Sequence, residues 1–142
     1  MKNVLYVCIG NSCRSQMAEW FARKYGSDVI EAQSAGLAPA SVVSELTRQV
    51  MLDRNIVMTE VFPKELELFS PEQVELLVNI SGYAIPPPYA SIPSVVWKVL
   101  DPIGQKQSVY EQVRDELENL VMRQILELRS AQGPKKRTTA TR

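Results

Sequence analysis

No histidine occurs anywhere in the chain, and that absence removes whole classes of chemistry. Histidine-dependent catalysis, zinc sites with a histidine ligand and a cysteine–histidine protease pair are all excluded. Cysteine is scarce too, with only Cys8 and Cys13. Two are too few for a disulfide framework, and a reducing compartment is where a thiolate nucleophile survives. No apolar run approaches the roughly 20 residues that cross a membrane, and Met1-Lys2-Asn3 leads straight into a strand pattern without the features of a cleaved leader. A cytoplasmic protein with no membrane contact is expected. An excess of one charge is also missing, since 16 Lys and Arg balance 16 Asp and Glu. Lys135, Lys136, Arg137 and Arg142 stand without an acidic neighbour at the end, so the body carries about four net negative charges, which argues against nucleic-acid binding.

What remains is ordinary globular material of 142 residues, 45% hydrophobic and 23% charged. One domain over 1–130 is expected, followed by a basic, disordered tail over 131–142 after Gly133-Pro134.

The informative stretch is Val7-Cys8-Ile9-Gly10-Asn11-Ser12-Cys13-Arg14-Ser15. With a buried strand before it and a helix from Ser15 onward, such a loop can turn backbone N–H groups of residues 9–15 toward one centre, which the helix N-terminus makes electropositive. That centre attracts phosphate or a similar oxyanion. Gly10 is expected to permit a conformation or close approach that a β-carbon would block, and Asn11 tolerates a left-handed backbone. Arg14 can make two parallel bonds to phosphate oxygens. Cys8 would lie beneath the anion as a thiolate nucleophile, with the Ser15 hydroxyl on its sulfur.

Further along, apolar residues at helical spacing from Met17 to Tyr25 predict a helix ended by Gly26. A second strand is predicted over 28–33, with Ser34-Ala35-Gly36 as a turn, and a second helix over Ser41–Leu52. Ser70-Pro71-Glu72-Gln73 is a helix-start signal. A third strand is expected over Leu76–Ile80, a stiff proline-rich loop over 86–93, a fourth strand over Ser94–Val99 ending at Leu100-Asp101-Pro102, and a long helix over Ser108–Arg129. Strands alternating with helices predict an open α/β sheet that binds ligands at the carboxyl ends of its strands.

Displacing an alkoxide or phenolate from phosphorus requires a proton donor, and without histidine a carboxylic acid is the natural one. Asp101 is the candidate; the other reading of an Asp-Pro pair is a turn. This chemistry needs no metal or other cofactor. Cys13 is either a small buried side chain or a redox partner that closes a reversible disulfide with Cys8.

Cys8 through Glu19, Ser34-Ala35-Gly36-Leu37 and Asp101-Pro102, in that order, resemble the low-molecular-weight protein tyrosine phosphatase superfamily, which includes the thioredoxin-coupled arsenate reductases. The resemblance covers residues 1 to about 130 and implies a three-layer α/β fold, a central four-stranded parallel sheet of order 2-1-3-4 flanked by helices. It implies Cys8 as nucleophile, Arg14 as phosphate-binding arginine, Asn11 and Ser15 as supports of loop and thiolate, and Asp101 as general acid. Two departures bear on the substrate. Ile103 and Gly104 follow Asp101-Pro102 where phosphotyrosine phosphatases of this family carry tyrosines. The cysteines that thioredoxin-linked reductases need near the end of the third strand are replaced by Asn79-Ile80-Ser81-Gly82-Tyr83. The expected function is a phosphatase acting on a phosphorylated protein or a small aryl phosphate. The alternatives are an arsenate reductase that uses an external small thiol, and a non-catalytic phosphate or phosphoprotein binder.

Overall fold

The apolar run near the start of the chain becomes β1, Lys2–Cys8, an inner strand of a sheet whose strands are all parallel. The structure, a computed structural model, describes residues 1–140, of which 133–140 by their backbone alone. β2 (Ile30–Gly36) pairs with one side of β1 and β3 (Leu76–Asn79) with the other, and β4 (Ser94–Val96) lies outside β3, giving the order 2-1-3-4. A strand covered on both faces needs apolar residues at every position rather than at alternate ones. Accordingly, Val4, Tyr6 and Cys8 enter a large core with helices α1 (Arg14–Tyr25), α2 (Glu45–Leu52) and α3 (Gln107–Ala140). Leu5 and Val7 enter a smaller core that Leu66, Tyr89 and Ile92 close from the opposite face. The fold is three-layered α/β, but its second outer layer consists of single 3₁₀ turns at Leu66–Leu68, Pro71–Gln73 and Tyr89–Ser91.

Helix α3 fastens the α-helical layer. Arg114 donates to Val50 O and pairs with Asp53 at the end of α2, and Arg129 donates to Tyr25 O and pairs with Asp28 at the end of α1. Each cation meets carbonyls at a helix C-terminus, where it is stabilising. Tyr6 reaches through the core to donate to Gln124 Oε1 at 2.6 Å, and burial raises its phenol well above the ordinary value. Gly26 caps α1 as expected, for a packing reason: its φ is −137°, and a β-carbon there would meet Ile125 at 2.5 Å.

Several boundaries differ from the sequence reading. β2 runs on through Ser34-Ala35-Gly36, because pairing along the whole of β1 places Gly36 opposite Cys8 and overrides the turn preference. β4 stops at Val96, because its partner β3 ends at Asn79. Asp101 therefore does not end a strand; it sits five residues beyond β4. α2 begins only at Glu45, and Ser70-Pro71-Glu72-Gln73 makes a single 3₁₀ turn. α3 begins at Gln107 and continues past Arg129 to Ala140, across most of the span read as a tail, whose residues 141–142 lie outside the described residues. No helix among the described residues is long and apolar enough to cross a membrane.

Candidate active site

The loop from Cys8 to Ser15 joins the end of β1 to the start of α1. Its carbonyls face outward. Leu37 N donates to Cys8 O, Ala38 N to Ile9 O, Ala40 N to Gly10 O, and both Ser44 N and Thr47 Oγ1 to Ser12 O. The amides of residues 9–15 donate to no protein acceptor among the described residues, which leaves them for an anion. α1 carries no acidic residue in its first turn, so its positive end is not neutralised locally.

Asn11 holds the loop in shape. Its φ is +51°, the left-handed conformation expected of it. All four hydrogen-bonding positions of its side chain are used: Nδ2 donates to Ser15 Oγ (2.7 Å) and Ser34 Oγ (2.9 Å), while Oδ1 accepts from Gln16 Nε2 (3.0 Å) and Lys64 N (2.8 Å). Full satisfaction matters because Asn11 is completely buried, where an unmade bond costs about 1–3 kcal/mol. Ser15 Oγ also lies 2.8 Å from Cys8 Sγ and 3.5 Å from Ala35 O, close enough to give a thiolate at Cys8 a hydrogen bond. On the other branch, Ser34 Oγ donates to Glu19 Oε1 at 2.5 Å, and Arg23 (2.6 Å) and Lys64 (3.4 Å) balance that buried carboxylate.

The protein's own packing does not require a glycine at Gly10. The Gly10 backbone is not left-handed, and a β-carbon there would meet its surroundings at 3.5 Å or more, an ordinary contact. The indispensable glycine is Gly36, where a β-carbon would sit 2.6 Å from Ile9 O and 3.0 Å from Asn11 N. Ser34, Gln16, Glu19, Thr47 and Lys64 were likewise not foreseen as site residues. Gln16 and Glu19 lie one helical turn past the motif, but the place of Lys64 depends on tertiary folding alone.

Arg14 is 5% exposed and spans the sheet's rim: Nη1 donates to Ile80 O at 2.7 Å and Val99 O at 3.1 Å, beyond the ends of β3 and β4. Its Nη2 lies 3.5 Å from Asp101 Oδ2. Asp101 is thus delivered to the cradle although it is not on a strand. Cys8, Cys13, Arg14 and Asp101 line one hollow of about 170 Å³, with Ile9, Gly10, Ser12, Ala40 and Ile103. Both cysteines are free thiols. Burial, the dominant cause, pushes the Cys13 thiol up to about 12, with a hydrogen bond to Thr47 acting the other way. Cys13 therefore stays protonated at neutral pH and is no competing nucleophile.

A loop of backbone amides over a cysteine, closed by an arginine and faced by an aspartate, is an arrangement for holding a tetrahedral oxyanion against sulfur. The family model of the low molecular weight phosphotyrosine protein phosphatases matches residues 3–86. The chain belongs to this family. Among its relatives, arsenate reductase 1 of Bacillus cereus is 34% identical over 121 residues, covering 82% of this chain and 88% of that protein. The glutaredoxin arsenate reductase of Synechocystis is 31% identical over 128 residues, covering 85% and 97%. Among solved structures, an arsenate reductase in its phosphate binding state superposes with a TM-score of 0.81 at 30% identity, covering 90% of this chain and 99% of the other. The YwlE arginine phosphatase of Geobacillus stearothermophilus superposes at 0.83 with 23% identity, covering 93% and 96%, a likeness of fold alone. Enzymes of this cysteine-based family thus include both reductases and phosphatases on one frame.

Proposed function

We propose that the chain is a phosphomonoester hydrolase that works through a phosphocysteine on Cys8, with a phosphorylated protein or aryl phosphate as substrate. The observation that carries this reading is the meeting of Cys8, Arg14 and Asp101 in one small hollow. Transfer to cysteine and then to water needs these groups and no further cysteine.

Phosphate enters between the loop amides and Arg14, taking the guanidinium face that Asp101 otherwise meets at 3.5 Å. The sulfur of Cys8 attacks phosphorus; the S–P bond forms as the bond to the leaving oxygen breaks, and Asp101 gives its proton to that oxygen. Water then attacks phosphorus while the Asp101 carboxylate takes its proton, and the S–P bond breaks to return the thiolate, which the Ser15 hydroxyl meets at 2.8 Å. The negative charge that spreads over the equatorial oxygens is met by the amides of 9–15 and by Arg14. A quenched reaction with an aryl phosphate should show a phosphate adduct on Cys8 by mass spectrometry, absent in Cys8→Ser. Steady turnover by Cys8→Ser would end this mechanism.

One observation favours a second reading, arsenate reduction: the relatives at 30% identity or more named above are arsenate reductases. Here Cys8 would attack arsenic and displace hydroxide. An external thiol would then attack the Cys8 sulfur, forming a mixed disulfide and leaving two electrons on the departing arsenite. A second thiol would release Cys8. The external donor is required because Cys13, the other cysteine, lies in the same loop. Parallel assays decide between the two: aryl phosphate with no reductant, and arsenate with glutathione or mycothiol.

A further inference from the structure

Beside the cradle lies a second hollow of about 660 Å³, and Arg14 lines both. Its walls are the segment that leaves β3, residues 79–84, and the segment that ends β4, residues 96–100. The first wall is preformed. Asn79 Nδ2 donates to Tyr83 O at 2.8 Å, Ser81 Oγ to Asn79 Oδ1 at 2.6 Å, and Tyr83 N to Ser81 Oγ at 3.0 Å. These bonds use the backbone of Tyr83 and leave its side chain 65% exposed. On the opposite wall Val96 and Leu100 are 62% and 63% exposed. Large apolar side chains gathered at one hollow, rather than scattered, mark a binding surface.

Charge narrows the occupant. Among the described residues Arg14, which meets Asp101 at its other side, and the exposed Lys98 line the hollow, and no carboxylate does. Topology narrows it again, since β4 is the edge strand of the sheet and its outer side can pair with an extended main chain. An inorganic oxyanion uses only Arg14 among these features and fits the smaller hollow over Cys8.

We propose that this groove binds the residues flanking the phosphorylated side chain of a polypeptide substrate, selecting an extended segment with an apolar and an acidic side chain. The apolar side chain packs against Tyr83, Val96 and Leu100, and the acidic one meets Lys98. This assignment rests on the phosphatase reading, and its test separates the two.

The test compares para-nitrophenyl phosphate with a synthetic phosphotyrosine peptide carrying Leu and Glu beside the phosphoresidue, using the full chain and the variant Tyr83→Ala/Lys98→Glu. The expected result is a fall in kcat/KM for the peptide of roughly tenfold, with a change for the aryl phosphate below about twofold. A peptide with Lys in place of Glu should recover its rate on Lys98→Glu. Equal losses on both probes, or no loss on the peptide, overturn the groove. So does a variant that only shifts the sedimentation of the protein, which would make the face a contact between copies of the chain. If the unaltered chain hydrolyses neither probe, the phosphatase reading falls. Binding of the fluorescently labelled peptide to Cys8→Ser, with and without Lys98→Glu, then decides the groove by itself.

Discussion

The two walls of the hollow over Cys8 are built in opposite ways. On the cradle side Cys8, Asn11, Cys13 and Ser15 are at most 2% exposed, and the loop carbonyls are taken up by the 37–47 segment. On the acid side the Asp101 side chain is 41% exposed, Leu100 and Ile103 are 63% and 48% exposed, and Gly104 turns at φ +85° with nothing near it. Arg14 joins the walls. A phosphate site needs one wall that does not relax, because amides aimed in advance stabilise developing charge without reorganisation. Its proton donor must reach both the leaving group and then water, which an exposed loop allows. Changes on the cradle side should therefore cost stability and rate together, and changes on the acid side rate alone.

The largest effect expected is that of Cys8→Ser, which should lower aryl phosphate turnover by roughly 10⁴-fold or more while the protein still binds vanadate. Asp101→Asn comes next, with kcat lower by about 10²–10⁴ and an unchanged melting temperature. A variant retaining half the parental kcat would remove Asp101 from the mechanism. Asn11→Ala sharpens the contrast, because it should destabilise by about 2–4 kcal/mol through lost bonds and the strain of its left-handed backbone. Urea unfolding measures this; a parental midpoint would mean that the cradle is no more rigid than the acid loop. Gly36→Ala should cost about 1–3 kcal/mol by forcing Ile9 away, and Gly10→Ala much less, reversing the ranking the motif suggests.

The smallest effect concerns Cys13. Its thiol rises from an ordinary 9.0 to about 12 in the folded chain. The folded state therefore holds this proton more tightly than the unfolded one. The resulting stability is complete below about pH 9 and is lost as pH rises toward 12. Cys13→Ala should flatten that alkaline limb in thermal melts. At neutral pH, iodoacetamide should modify Cys8 before Cys13; the reverse order in a peptide map would contradict the assignment of nucleophile and buried neighbour.

Much of this was legible along the chain. The cradle is a local object, in which strand, loop and helix start follow one another within Lys2–Tyr25, so Cys8, Asn11, Arg14 and Ser15 were legible from spacing alone. The strand order followed from the resemblance, and the aspartate from the need for a proton donor in a chain without histidine. Gly36 and Lys64 were not, because what makes them necessary is a loop folded against them from far away in sequence. Asp101 was reached from the need for an acid and expected at the end of a strand, whereas it comes to Arg14 from a loop beyond β4.

The contiguous residues, then, were enough to pick out a candidate nucleophile, the loop that follows it and the need for an acid, because backbone preference and short-range spacing act within a few residues. Only the folded chain decided which glycine the loop's packing requires, which groups meet Ser15 and why Cys13 keeps its proton. It also decided that a basic, apolar groove opens from the same arginine. Each of these depends on burial and on partners brought together across the sheet, and neither is written in any single stretch of sequence.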